Sequence, residues 1–355
     1  MKIPAHFLEN ASGTRYAYEG QRGYLQLVAD ILMHGSTPPD RTGTGRRKLF
    51  SRQVRFDLRK SFPLLTMRPV FCESAFKELW SFFNGVLMIA PTLQAQGVSF
   101  WNDHTSRAFL DGRNLQHLPE GHIGKAYSFQ FRNFGGELTP DFKAVGGTDQ
   151  LQRVFDNIKN KPFDSRHLVS IWNPDQEDEM PLPPCCWNHQ FLVTLDDDGN
   201  KVLNIQLSAR SSDLIFGGAY NLPQYALWLL AMSHAQGMIA GEIVFVPTDV
   251  HIYGYPSDIP ASELDGWPAH IVEQLHARVD SAPDADREVP AASQMLYALE
   301  VLGRDFDETP IRVTINKPLN SLEDILAMKF SDFEFSQDHK VNRSPFKTPR
   351  PKMAV

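Results

Sequence analysis

Apolar residues recur at helical spacing from Tyr24 to Met33 and again from Glu73 to Phe83, where Ala75, Phe76, Leu79, Phe82 and Phe83 form one stripe bordered by Glu78. Thr37-Pro38-Pro39-Asp40 breaks the first run ahead of a glycine-rich loop, Arg41-Thr42-Gly43-Thr44-Gly45, that opens a strand, and Asn84-Gly85 ends the second. Gln190–Leu195 and Val202–Leu207 read as two strands joined by the turn Asp196-Asp197-Asp198-Gly199-Asn200. From Pro223 to Ala235 the chain is apolar nearly all round, with Asn221 and Leu222 at its entry and Gly237 beyond its end, which predicts a central buried helix. The Pro-, Asp- and Ala-rich stretch Ser257–Pro290 predicts a peripheral insertion near residues 255–300. The basic, Pro-rich ending predicts an extended surface arm over residues 340–355. No internal repeat is present, and one domain over 1–355 is expected.

Composition narrows the class. A chain of 355 residues with 42% hydrophobic positions can bury a substantial core, and a formal net charge of -7 argues against nonspecific nucleic-acid binding as the main task. The most apolar run, Tyr225–Met232, is too short to span a bilayer, and the start Met1-Lys2-Ile3-Pro4-Ala5-His6 has no secretory apolar region. Three cysteines, two of them adjacent, suit a reducing compartment rather than a disulfide framework. The expected location is the cytoplasm, that of a host if the protein is viral.

Candidate chemistry centres on Leu182-Pro183-Pro184-Cys185-Cys186, answered downstream by Arg210-Ser211-Ser212-Asp213 and Gly217-Gly218-Ala219-Tyr220-Asn221. The thiolate is the reactive form of cysteine, and a nearby cation favours it, so a hairpin that returns Arg210 to Cys185 would make a nucleophile. The plainer alternative is a half-buried cysteine after a Pro-Pro turn with a solvated arginine. Zinc ligation by Cys185, Cys186 and His189 lacks a second pair of ligands, and a Cys-His acyl transferase lacks an evident oxyanion loop.

Further segments in the same order include Phe62-Pro63-Leu64-Leu65-Thr66, Lys77-Glu78-Leu79-Trp80, Phe100-Trp101-Asn102-Asp103, Tyr127-Ser128-Phe129-Gln130, Asp164-Ser165-Arg166, Trp172-Asn173-Pro174, Asp249-Val250-His251-Ile252-Tyr253 and the ending Lys352-Met353-Ala354-Val355. Together with the cysteine and arginine motifs they resemble the thymidylate synthase family along nearly the whole chain. The resemblance implies an α/β fold (α+β) with a mixed β-sheet carrying helices on one face, packed sheet-to-sheet in a homodimer.

It also implies a metal-free reaction. Cys185 adds to C6 of dUMP, C5 attacks the methylene carbon of 5,10-methylenetetrahydrofolate, and Glu78, with a pKa raised by partial desolvation, exchanges protons through water. Tyr127 assists removal of the C5 proton. Arg41, Arg210 and Ser211 grip the 5′-phosphate, joined by Arg166 from the partner subunit, and His167 stands where the family's second arginine is usual. Asn221 pairs with N3-H and O4 of uracil, a pattern that cytosine reverses. His251 and Tyr253 hydrogen-bond the sugar hydroxyl. For folate, Trp101 stacks on the pterin, Asp213 bonds its amino-pyrimidine edge, Gly217 and Tyr220 line the site, and the Val355 end closes over it.

Each residue also has an ordinary reading: Arg166 as a surface ion pair, Asn221 as a helix cap, Glu78 as a helix-surface carboxylate, Trp101 as core, Val355 as a solvated tail. Departures from the usual pattern are Cys186 after the nucleophile, Ala209 before the arginine, His104, and Gly124-Lys125-Ala126-Tyr127-Ser128. With the Phe216-Gly217 pairing they leave open a hydroxymethylase that yields 5-hydroxymethyl-dUMP. The complete C-terminal end and Trp101 favour methylation, since a closed site keeps water away. A noncatalytic nucleotide- or RNA-binding relative is the more distant alternative.

Overall fold

The computed structural model describes residues 16–39, 45–254, 292–346 and 348. Arg41, Val355, the stretch Ser257–Pro290 and half of the C-terminal arm lie outside them. The chain opens with β1 (Ala17–Glu19), α1 (Gly20–His34), β2 (Arg46–Phe50), β3 (Gln53–Asp57) and α2 (Cys72–Phe83). Three short helices follow, α3 (Ile89–Gln94), α4 (Arg107–Gly112) and α5 (Tyr127–Arg132), then the small hairpin β4 (Glu137–Leu138) and β5 (Ala144–Val145), and α6 (Gln150–Asn160). The second half contains β6 (Leu168–Ser170), β7 (Cys186–Leu195), β8 (Lys201–Ala209), β9 (Ser212–Asp213), α7 (Ala219–Ala235), β10 (Ile239–Pro247) and β11 (Asp249–Tyr253). It closes with α8 (Ala292–Leu302), β12 (Val313–Ile315), α9 (Leu322–Leu326) and β13 (Phe333–Phe335).

Six strands form a mixed sheet in the order β1-β3-β10-β8-β7-β6, with β1 parallel to β3, β10 parallel to β8 and the remaining pairs antiparallel. Side chains alternate across the pleat, so register decides which rows are buried. One row, Phe191, Ile205, Ile243 and Phe56, crosses four strands and is almost fully buried. Helix α7 covers this face: Trp228 sets its ring edge-on to Phe191 at 4.8 Å. The neighbouring row, Gln190, Gln206, Val244 and Arg55, is polar but for Val244 and faces outward. A second sheet, β2-β11-β9, carries Asp213 and His251 in adjacent register.

The predicted hairpin is present and longer than expected, because the buried alternation runs on to Cys186 and Ala209. The helix expected from Glu73 spans Cys72–Phe83, and all five residues of its stripe are buried. The helix expected from Pro223 starts at Ala219 instead, continuing a π-helical turn, Leu214–Gly218, so Pro223 lies inside it. Asn221 is therefore a first-turn helical residue; the N-cap position is Gly218, and the cap reading of Asn221 falls.

Candidate active site

Cys185 immediately precedes β7 and Arg210 immediately follows β8, at the open end of the hairpin. Their backbones are tied by the Arg210 N–H donating to the Cys185 carbonyl at 2.9 Å. The Arg210 guanidinium folds back over the Pro-Pro turn, donating to the Pro184 carbonyl at 3.0 Å and the Pro183 carbonyl at 2.8 Å, and its terminal nitrogen lies 3.8 Å from Cys185 Sγ. The guanidinium carbon lies over the Trp172 ring, 5.8 Å from its centroid. The cation and the thiol are thus brought together by two strand ends rather than by a flexible side chain reaching over.

The two neighbouring cysteines have opposite settings. Cys185 is half-buried, whereas Cys186 points into the core and burial pushes its thiol pKa far up. Cys72, also buried, is pushed up to about 12. Opposite Cys186 in register stands Ala209, itself fully buried. The two departures flanking the cysteine and arginine motifs are therefore cross-strand partners, and between them they form a buried apolar wall.

Tyr127, the first residue of α5, accepts the Cys185 backbone N–H at 2.8 Å. Burial, with the nearby cysteines, raises its pKa well above the usual phenol value, so it remains a neutral phenol. Its ring stacks on Phe82 at 4.8 Å and meets Trp101 edge-on at 5.5 Å. The Trp101 indole N–H donates to Glu78 Oε1 at 2.7 Å, and Gln224 Nε2 donates to Glu78 Oε2 at 2.8 Å. Desolvation raises the Glu78 pKa, and the two hydrogen bonds offset part of that shift. A continuous set of contacts thus runs Cys185–Tyr127–Trp101–Glu78–Gln224. Gln224 lies one turn from Asn221, whose half-buried amide has no hydrogen-bond partner among the described residues.

Trp101 is 5% exposed with its N–H committed to Glu78, so it offers little surface for stacking on a ligand. Tyr220, half-buried and edge-on to Phe100 at 5.6 Å, presents more. Beside it Gly217 has open space where a side chain would project. Asp213 begins this turn, its Oδ1 accepting the N–H groups of Ile215 at 3.0 Å and Phe216 at 3.2 Å. Its Oδ2 accepts from Gln294 at 2.9 Å, and burial raises its pKa. Ser211 is half-buried between Arg210 and β9.

On β11, His251 and Tyr253 share a face, their rings 4.7 Å apart, and His251 Nδ1 lies 3.1 Å from Asp249 Oδ1. Asp249 is also paired with Arg46 at 3.2 Å and Lys48 at 3.3 Å. Its burial would raise its pKa, but His251, Arg46 and Lys48 together lower it on balance.

Arg166 and His167 sit apart from this assembly. Arg166 is 80% exposed and bonds Asp164 of its own chain at 2.5 Å. His167 corrects an expectation. Strand alternation at β6 turns Leu168 out and His167 and Val169 in, leaving the imidazole 0% exposed with Nε2 3.1 Å from the Pro162 carbonyl. A ring so enclosed offers no surface to a phosphate. His189, the third residue of the zinc alternative, is likewise enclosed by Phe131, Tyr225 and Trp228. Among the described residues no three His, Cys, Asp or Glu side chains come together to hold a metal ion, and no helix is long and apolar enough to cross a membrane.

Lys125 gives the Gly124–Ser128 departure a structural role. Buried itself, it bonds Glu137 at 2.7 Å and Glu179 at 2.9 Å, binding the β4–β5 hairpin and the approach to Pro183 onto the start of α5. Gly124 has a φ of +60°, and a Cβ there would strike the Glu179 carbonyl.

A family model described as thymidylate synthase matches residues 22–346. The chain belongs to the thymidylate synthase family. It is 39% identical to human thymidylate synthase over 237 residues, covering 66% of this chain and 74% of the human one. It is 38% identical to the thymidylate synthase of human herpesvirus 8 type P over 252 residues, 70% of this chain and 73% of the viral one. It is 39% identical to bifunctional dihydrofolate reductase-thymidylate synthase 1 of Arabidopsis thaliana over 233 residues, 65% of this chain and 44% of the plant one. The chain spans less than half the length of the bifunctional plant relatives it matches.

Gln224 was not foreseen. Its three-residue spacing from Asn221 on a helix was the available signal, because positions so spaced share a face. Trp101 was foreseen as a ligand platform; only the structure reveals it as a partner of Glu78.

Proposed function

We propose that this protein is a one-carbon transferase that converts dUMP to dTMP with 5,10-methylenetetrahydrofolate as co-substrate and dihydrofolate as second product. The observation that carries this reading is the setting of Cys185, a half-exposed thiol held through its own backbone by Tyr127 and lying 3.8 Å from Arg210. As thiolate, the sulfur adds to C6 of the uracil ring while the electron pair moves through C5 toward O4. Asn221, whose amide is unbonded among the described residues, reads N3-H and O4, and Glu78 takes and returns protons near O4. Tyr127 relays the C5 proton as a neutral phenol, its oxygen already accepting from Cys185 N–H. Arg210, Ser211, Arg41 and the partner subunit's copy of the Arg166 segment serve the phosphate, and His251 and Tyr253 the sugar.

The open space at Gly217 and the Tyr220–Phe100 pair fit a flat heteroaromatic co-substrate, and Asp213 retains acceptor capacity beside them. When bound, 5,10-methylenetetrahydrofolate supplies a methylene group and then a hydride. The Cys186–Ala209 wall keeps the neighbourhood of the nucleophile poor in water, which favours hydride over water as the final donor to the base. We read residues 1–355 as one cytoplasmic catalytic domain with an insertion whose last part, α8, packs against α1 and β11. The outward sheet face, with Leu168 46% and Leu192 45% exposed, supports a homodimer.

The test is incubation with dUMP, dCMP or UMP plus 5,10-methylenetetrahydrofolate, with the product weighed by mass spectrometry and dihydrofolate followed by absorbance. Conversion of dUMP to dTMP with stoichiometric dihydrofolate is expected. Formation of 5-hydroxymethyl-dUMP without dihydrofolate would overturn the methylation, and no modified base at all would overturn the reading.

A further inference from the structure

We propose that Gln224 is a positioning residue of this reaction: its amide grips one oxygen of Glu78, fixes the carboxylate beside the Asn221 face of α7, and governs when Glu78 releases its proton. This rests on the proposed function for its meaning in catalysis, but not for its measurement. Gln224 is 3% exposed, and its Nε2 donates both to Glu78 Oε2 at 2.8 Å and to the Ala75 carbonyl at 3.1 Å. The second bond orients the amide. An –NH2 group has two hydrogens and no acceptor, so it supports the carboxylate and cannot accept from the carboxylic acid at that oxygen. Trp101 holds the other oxygen at 2.7 Å and is likewise a donor only. Each oxygen of Glu78 thus keeps lone-pair capacity for a mobile proton while its orientation is fixed from both sides.

Other groups facing Glu78 contribute little charge near neutral pH. Cys186 from β7 and Tyr225 from α7 both interact with it, and burial pushes both pKa values up, so they remain protonated. Tyr127 from α5 is also held neutral by burial, and the His104 ring meets Trp101 edge-on with centroids 6.2 Å apart. Fixed donors therefore govern the proton affinity that burial has raised. One donor comes from the helix that carries the base-reading amide, which links substrate recognition to proton transfer.

The experiment titrates Glu78 in the free protein by difference infrared spectroscopy of the carboxyl band, with Glu78→Gln to assign it, for the wild type, Gln224→Met and Gln224→Glu. No substrate is present, so failure of the dUMP reading would leave this result intact. Gln224→Met should move the Glu78 titration upward by about one to two pH units, the size of one hydrogen bond to a charged group. In turnover assays the same shift should appear in kcat/KM against pH, with KM for dUMP changing less than twofold. Gln224→Glu can donate only while protonated, so it should approach wild-type behaviour at low pH and lose it as pH rises. It also provides a readout if the methionine variant does not fold. A Glu78 titration unmoved within about 0.3 unit in a folded variant, or equal losses at every pH, would overturn the proposal.

Discussion

The surroundings of Cys185 and the Asp164–His167 rim are built on opposite plans. Around Cys185 several polar groups are held by the same chain: Arg210 by the Pro-Pro carbonyls, the Cys185 N–H by Tyr127, Glu78 by Trp101 and Gln224. At the rim, Arg166 stands in solvent with its charge matched by one neighbouring aspartate, and the imidazole next to it faces the interior. Buried, mutually bonded groups cluster around Cys185, whereas the Arg166 guanidinium faces solvent.

Replacing the two adjacent cysteines gives the sharpest test of the closed region. Cys185→Ser should lower turnover by at least about a thousandfold with little change in melting temperature. Cys186→Ala should keep activity within about threefold of wild type and lower stability by about 1 kcal/mol, the usual scale for a small buried truncation. The reverse pattern would assign the nucleophile to the wrong sulfur.

Glu78→Gln should slow turnover by about a hundredfold or more, as for loss of a general acid-base group. Its sign in stability is distinctive. Burial raises the pKa of Glu78 in the folded state, so the native protein favours the protonated acid and loses stability as pH rises through that pKa. Glu78→Gln should therefore raise the melting temperature more at pH 8 than at pH 5, as thermal scans at the two values would reveal.

The open rim predicts smaller effects. Arg166→Ala should raise KM for dUMP about tenfold, equivalent to about 1.4 kcal/mol, without altering the melting temperature. Mixing it with Cys185→Ser subunits should restore turnover, because a mixed dimer has one site free of both defects. No recovery would place the arginine's action within its own chain. Smallest of all, His167→Asn should leave KM for dUMP unchanged within about twofold and affect stability instead, since the ring packs inside.

Much of this contrast was legible in the chain. The stripe of α2 marks itself by spacing and by Asn84-Gly85, and the turn Asp196–Asn200 fixes which strands pair and hence that Cys185 meets Arg210. The start of α7 was misplaced because Pro223 mimics a first-turn proline, whereas the preceding π-helical turn feeds the helix without a break. The inward side of His167 follows from two-residue alternation with Val169, a signal outweighed by the chemistry expected of a histidine beside an arginine. Contacts such as Trp101 with Glu78 join α2 to a loop 23 residues on, a distance that local pattern does not encode.

Asn221 and Gln224 occupy neighbouring positions on one helical face, and this constrains how the enzyme could be re-engineered or drift. An Asn221→Asp change aimed at cytosine would bring a new negative charge within a turn of the amide that steadies Glu78, and like charge makes a buried acid harder to ionise. Base preference and optimal acidity would then move together, so a lineage switching nucleobase would need a compensating change at Gln224 or Trp101.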